Sequence, residues 1–327
     1  MAASKKTGGL AGVTAGKTEL CTVGQEGAGL TYRGYDIYDL VDHASFEEVA
    51  YLLLHGKLPT RAELDAYVAR LVSMRGLPDD LKTVLEMIPA DTHPMDVQRT
   101  GVSFLGNIEP EGDFSNQADT ADRLLACLPS ILLYWHRFHT DGTRIDTATD
   151  DDSVAGHFLH MLHDRPPSEL HRKCLDTTLI LYAEHEFNAS TFAGRVITGT
   201  LSDMHSAVTG AIGALRGPLH GGANEAAMEL IEQYDNAEYA TKGIHEKLAN
   251  KDLIMGFGHR VYTTSDPRNS VNKRMSKALA EEKGDMTLYE VSEAIEKVMW
   301  DEKKLFANAD FFAASVYHFM GIPTYLF

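Results

Sequence analysis

Apolar residues recur at helical spacing almost wherever this chain is patterned, and start and stop signals punctuate the repeats. Thr60-Arg61-Ala62-Glu63 spells a capping box, followed by Leu64, Val68, Leu71 and Val72 on one helical face and by Gly76 as a stop. Ser45 and Glu48 form a second box ahead of Val49, Leu52 and Leu53, with Gly56 behind. Leu288, Val291, Ile295 and Val298 share another stripe. Longer helical stretches are expected over about residues 121–139 and 174–215, and the second is apolar enough all round to be buried. Only "GLTYRGYDI" near the start alternates as a strand would. The pattern predicts a mostly α-helical body without solenoid repeats.

Composition narrows the partners. A chain of 327 residues with 44% apolar content can form a large domain and a smaller one. A formal net charge of −17 argues against wrapping nucleic acid, while an arginine cluster can still hold a small anion locally. No apolar run reaches the length of a membrane span, and the first residues lack the apolar core of a signal peptide. Three scattered cysteines without a C-x-x-C suit buried thiols in a reducing cytoplasm.

Three glycine- or turn-rich breaks each carry one group able to do chemistry. In "GPLHGGANEA", His220 lies just before a helix start, where the positive helix end disfavours a protonated imidazole. A neutral His220 would donate a hydrogen bond to an oxygen that gains charge; a turn histidine bonded to backbone is the plain alternative. In "GFGHRVYTTSDPR", Gly256 and Gly258 allow close backbone approach and His259 follows. Asp266 is placed to cap a helix with Pro267 at its first position, which puts Arg268 in the first turn facing a carboxylate ligand or solvent. In "NADFFAASVYHF", Asp310 stands among apolar neighbours, either as a poorly solvated base or as a helix cap. A fourth stretch, "YAEHEFNASTF", sets Glu184, His185, Glu186 and Asn188 inside an apolar run, as an internal network or a pocket floor. His157, His160 and His163 have no carboxylate or cysteine at ligand spacing, so no metal site is expected. The P-loop and the dinucleotide fingerprint are absent.

These four stretches, in this order, resemble the citrate synthases, and the resemblance extends to "TAGKTELCTVGQEGAGLTYRGYDIYDL" and "VAYLLLHGKLPT". The wording "HEFNAST", "LRGPLHGGANE" and "HPMDV" is most similar to the bacterial 2-methylcitrate synthase branch. The resemblance implies an all-α, two-domain fold that closes on substrate. Residues 1–220 would form a large helical domain and 221–315 a small one, with 316–327 beginning a return to the large domain. It implies a cytoplasmic homodimer that condenses propionyl-CoA, and also acetyl-CoA, with oxaloacetate. The CoA thioester would be a substrate, and no tightly bound cofactor is expected. His220 would hydrogen-bond the thioester oxygen, Asp310 would take the α-proton, and His259 would polarise the ketone. His185 and Arg268 would hold the carboxylates of oxaloacetate with Asn188 beside them. Leu253, Ile254, Met255, Gly256 and Phe257 would meet the coenzyme's adenine through backbone groups.

One departure stands out. The family carries further arginines beyond the position of Asp310, and this sequence ends at Phe327 before them. The expectation is a longer natural protein, with the oxaloacetate site short of arginines as written. Three functions remain open on sequence: a condensing synthase, with citrate as the alternative product; a CoA- or acid-binding protein without turnover; and a citryl-CoA lyase using the same groups in reverse.

Overall fold

The computed structural model describes residues 15–27 and 29–327. A small antiparallel sheet opens the fold, with β1 at Cys21–Gln25, β2 at Gly29–Tyr32 and β3 at Tyr35–Asp36 in that order. Cys21 pairs with Tyr32 and Thr31 with Asp36. Strands β2 and β3 are the alternating stretch read from sequence. Strand β1 escapes that reading because Gly24, at φ 74°, breaks its alternation where the register shifts.

Helices supply the rest: α1 Ile37–His43, α2 Phe46–His55, α3 Arg61–Ser73, α4 Asp79–Met87, α5 Pro94–Ile108, α6 Gln117–Asp141, α7 Val154–His163 and α8 Glu169–Tyr182. They continue with α9 Ala189–Thr198, α10 Met204–Leu215, α11 Ala223–Ile231, α12 Ala237–Ala249, α13 Pro267–Lys283, α14 Thr287–Lys303 and α15 Ala309–Phe319. Both capping boxes form at α2 and α3, and Gly56 ends α2 in the left-handed conformation. Asp266 caps α13 with Pro267 at its first position. Helix α3 stops at Ser73, short of Gly76.

The 174–215 expectation needs correcting. That stretch is three helices, and only α8 is buried. Helix α9 has no buried residue, and α10 buries only His205 and Ala207. Helix α9 packs on α10 and α10 on α5, so their remaining faces stay open, with Val196 55% and Leu201 76% exposed. The apolar composition was read correctly, but only one face of α10, through Met204, Val208 and Ile212, reaches the core of α4, α5 and α6.

The buried side chains form separate clusters. One joins the sheet to α1, α2, α7, α8 and one face of α13. Another gathers Leu81, Leu85, Val97, Leu105, Ile131 and Trp135 from α4, α5 and α6. A further core runs from Ala227 to Ala314 and draws on α11, α12, α14 and α15. Phe319 and Phe327 pack against both this core and the first. Among the described residues no helix is long and apolar enough to cross a membrane.

Candidate active site

The polar break between α8 and α9 touches all three of the other breaks. Its backbone is turned by Glu186 at φ 58° and tied by Glu184, whose Oε1 accepts the Glu186 N–H at 2.8 Å. Tyr182, at the end of α8, donates its hydroxyl to Asp310 Oδ1 at 2.7 Å. His185 Nε2 meets the Tyr262 hydroxyl at 3.1 Å, and its ring stands edge-on to His259 at 5.1 Å. Ser190, in the first turn of α9, holds His220.

His220 sits on the turn that ends α10, closed by its own N–H on Gly217 O at 2.9 Å. A side chain on Gly221 would collide with Leu215 O, so only glycine lets the chain double back and enter α11 there. Gly222 caps that helix without a side-chain hydrogen bond. Nε2 of His220 accepts the Ser190 N–H at 3.2 Å and lies 2.6 Å from Ser190 Oγ. A nitrogen that accepts a backbone N–H carries no proton itself, so the proton of the neutral ring resides on Nδ1.

His259 is set the opposite way round. Its Nδ1 accepts from Val261 N at 3.1 Å and Tyr262 N at 3.2 Å, which leaves Nε2–H as the donor. Burial, and then the Arg268 charge, hold the proton affinity of His259 below its ordinary value. The same causes, joined by His259, push His185 down to about 3, so both rings are neutral at pH 7.

Arg268 is 7% exposed, and its guanidinium is engaged by Asp266 through Nε at 3.0 Å and Nη2 at 2.8 Å. The edge bearing Nη1 remains for a ligand. Asp266 does more than the cap read from sequence: it also accepts Ala309 N at 3.0 Å, fixing α15 to the start of α13. Asn308, not Asp310, caps α15, and Asp310 sits in the first turn with its N–H on Asn308 Oδ1. Burial raises the Asp310 carboxyl above the ordinary aspartate value, opposed by the Tyr182 hydrogen bond and the Arg268 charge.

Two expectations shift in detail. Asn188 caps α9, its Oδ1 accepting Thr191 N at 3.0 Å, so it enters through its place in the turn. Within 253–257, Leu253 is 82% exposed while Ile254 is buried in the core of α11, α12, α14 and α15. Gly256 O accepts Asn308 N at 2.9 Å, and Gly258 N donates to Phe306 O at 2.8 Å. Gly256 has φ 86°, and a Cβ there would stand 3.0 Å from the Phe311 side chain. The loop is therefore stapled to the segment that carries Asp310.

Tyr182 and Ser190 were not singled out from sequence. Both lie in the quoted stretch "YAEHEFNASTF", but a hydroxyl in a helix gives no local sign of a partner 128 or 30 residues away. The three histidines of α7 separate. His157 lies between Ser130 and Thr149, His160 meets Asp151 at 2.7 Å, and His163 donates to Met320 O. The expectation that no carboxylate stands at ligand spacing needs correcting: ligating atoms of Asp150, Asp151 and His160 lie within 4.8 Å of one another, brought together by the loop before α7.

Residues 9–327 match the family model described as citrate synthase, C-terminal domain. The chain is 63% identical to a protein of Shewanella oneidensis named 2-methylcitrate synthase, over 99% of this chain and 87% of that one. It is 41% identical to the citrate synthase of Haloferax volcanii, over 98% and 86%. Among solved structures it is similar to the citrate synthase of Thermoplasma acidophilum in ternary complex with carboxymethyl coenzyme A and oxaloacetate. The TM-score there is 0.88 at 31% identity, over 96% of this chain and 84% of that one.

Proposed function

Because the chain belongs to the citrate synthase family, we propose that it condenses an acyl-CoA thioester with oxaloacetate, propionyl-CoA before acetyl-CoA. One observation carries the site: a single polar turn, Tyr182 to Ser190, contacts or faces Asp310, His259 and His220. The 63% identity with a 2-methylcitrate synthase, against 41% with a citrate synthase, supports propionyl-CoA as the preferred substrate.

The chemistry explains why three groups are needed. The α-proton of a thioester is far less acidic than a carboxylic acid, so Asp310 removes it only if the enol oxygen is stabilised as it forms. Nδ1–H of His220 is the donor for that oxygen, and such a preorganised donor supplies on the order of 3–4 kcal/mol. The enol carbon then attacks the ketone carbon of oxaloacetate while Nε2–H of His259 gives its proton to the ketone oxygen, which becomes the product hydroxyl, and solvent returns a proton to the ring. Water cleaves the resulting thioester, releasing the CoA thiol and the tricarboxylate. A neutral His185 and the Nη1 edge of Arg268 receive the oxaloacetate carboxylates, with Asn188 in the adjoining turn. Backbone groups of residues 253–257 meet the adenine.

The core running from Ala227 to Ala314 supports a small domain over 221–315 packed against a larger one over 1–220, with 316–327 returning to the larger. Phe319 and Phe327 pack against both cores and join them. The open apolar faces of α9 and α10 support a homodimer. Buried free thiols at Cys21, Cys127 and Cys174 fit the cytoplasm.

Release of free thiol from propionyl-CoA and acetyl-CoA, each with oxaloacetate, tests this reading. The expected result is a higher kcat/KM for propionyl-CoA. The reverse order makes the enzyme a citrate synthase, and CoA binding without thiol release rejects the synthase reading.

A further inference from the structure

The Tyr182 hydroxyl stands between two partners from other elements. It donates to Asp310 Oδ1 of α15 at 2.7 Å and accepts from Asn224 Nδ2 of α11 at 3.1 Å. Asn224 Nδ2 also reaches the Asp310 carbonyl at 3.3 Å. A phenol has one proton. With an amide N–H directed into its oxygen and a carboxylate at short range, that proton points at Asp310. Among the described residues only Oδ1 of Asp310 accepts a hydrogen bond, so its two oxygens are inequivalent before any substrate arrives.

We propose that Tyr182, oriented by Asn224, is the positioning residue of the base: it occupies Oδ1 of Asp310 and so aims Oδ2 at the acyl α-carbon. The proposal rests on the reading of Asp310 as the base. Its chemical consequence is a poised carboxylate. Burial raises the proton affinity of Asp310 and so works against the ionised base; one hydrogen bond to the ionised form counters that while leaving the second oxygen without a hydrogen-bond donor among the described residues. Of the other titratable groups facing Asp310, the Arg268 charge favours ionisation and Asp266 opposes it, while His259 would add to Arg268 only in its protonated form. Tyr317 also faces Tyr182, and the carboxylate beside the phenol, together with burial, raises the phenol's own proton affinity. Tyr182 therefore keeps its proton and acts through Asp310.

The test is Tyr182→Phe in the full chain, with kcat/KM for propionyl-CoA followed against pH at saturating oxaloacetate. Losing a hydrogen bond that favours the carboxylate moves the acid limb to higher pH, by about one unit. The plateau kcat falls and KM for oxaloacetate stays put. Asn224→Ala shifts the limb in the same direction by less. Carbon-13 NMR of the Asp310 carboxyl, assigned by loss of its signal in Asp310→Asn, reads the same titration without turnover. Coincident acid limbs, or an unmoved carboxyl titration in Tyr182→Phe, overturn the proposal. Retained turnover in Asp310→Asn overturns instead the base reading beneath it, whatever the NMR shows for the Tyr182 contact.

Discussion

Which nitrogen of a histidine can act is decided by what the other one touches. His220 gives Nε2 to Ser190, which leaves Nδ1 as its donor; His259 gives Nδ1 to the Val261 and Tyr262 N–H groups, which leaves Nε2. These backbone contacts cost nothing to reorganise during reaction, which is what makes the two donors preorganised. Replacing His220 by Ala should lower kcat/KM by roughly 10²–10³, the loss typical of one such donor. Ser190→Ala removes the 2.6 Å hydroxyl contact but keeps the backbone N–H, so its loss should be no more than about tenfold and fall on kcat. Steady-state thiol release checks both. Equal losses in the two variants would mean that the hydroxyl, not the backbone, sets the tautomer.

At the scale of elements, helix α8 carries a buried strain that the active-site turn does not reveal. Its Asp176, 6% exposed, accepts the N–H of Phe46 at the start of α2 at 3.1 Å. Burial, with Glu47 close by, raises its carboxyl to about 7. The folded state thus holds a proton there that the unfolded chain releases near pH 4, so between about pH 4 and 7 this group's contribution falls as pH rises. Asp176→Asn keeps an oxygen for Phe46 N and removes the titration. It should gain on the wild type by at most about 1.4 kcal/mol per pH unit across that window and run parallel above it, read by urea unfolding. Sequence patterning made much of this architecture legible, because caps are local. Thr60 with Glu63, Ser45 with Glu48 and Asp266 with Pro267 each act within a few residues of themselves. His220, His259 and Asp310 were legible as candidates for a related reason: a titratable group on a glycine or turn break stands out from helical periodicity. Tyr182 and Ser190 did not, since a hydroxyl inside a helix looks the same whether or not a distant carboxylate or imidazole meets it. Helices α9 and α10 were misread for a different reason. An apolar face says that something covers it and not whether the cover belongs to the same chain.

The whole molecule ties that open face to the chemistry. Helix α9 carries Ser190, which holds His220, in its first turn and Val196 in its last, and Val196 and the following Leu201 lie open on the surface. A homodimer packed on α9 and α10 would therefore support the first turn that orients the thioester donor, besides burying apolar surface. Val196→Asp separates this from a bland surface position. On a monomer, an exposed substitution of this kind changes stability by less than about 0.5 kcal/mol and leaves sedimentation and kinetics alone. At a dimer face it buries an unpaired charge twice across the symmetry axis, which is far more than a marginal interface tolerates. The expected outcome is a dimer for the wild type by sedimentation velocity, a monomer for Val196→Asp at micromolar concentration, and a kcat that falls with dissociation. Raising the concentration of the variant until dimer returns should restore turnover in step, because Ser190 and His220 themselves are unchanged. A wild type that sediments as a monomer with full turnover would detach the apolar face from the active site.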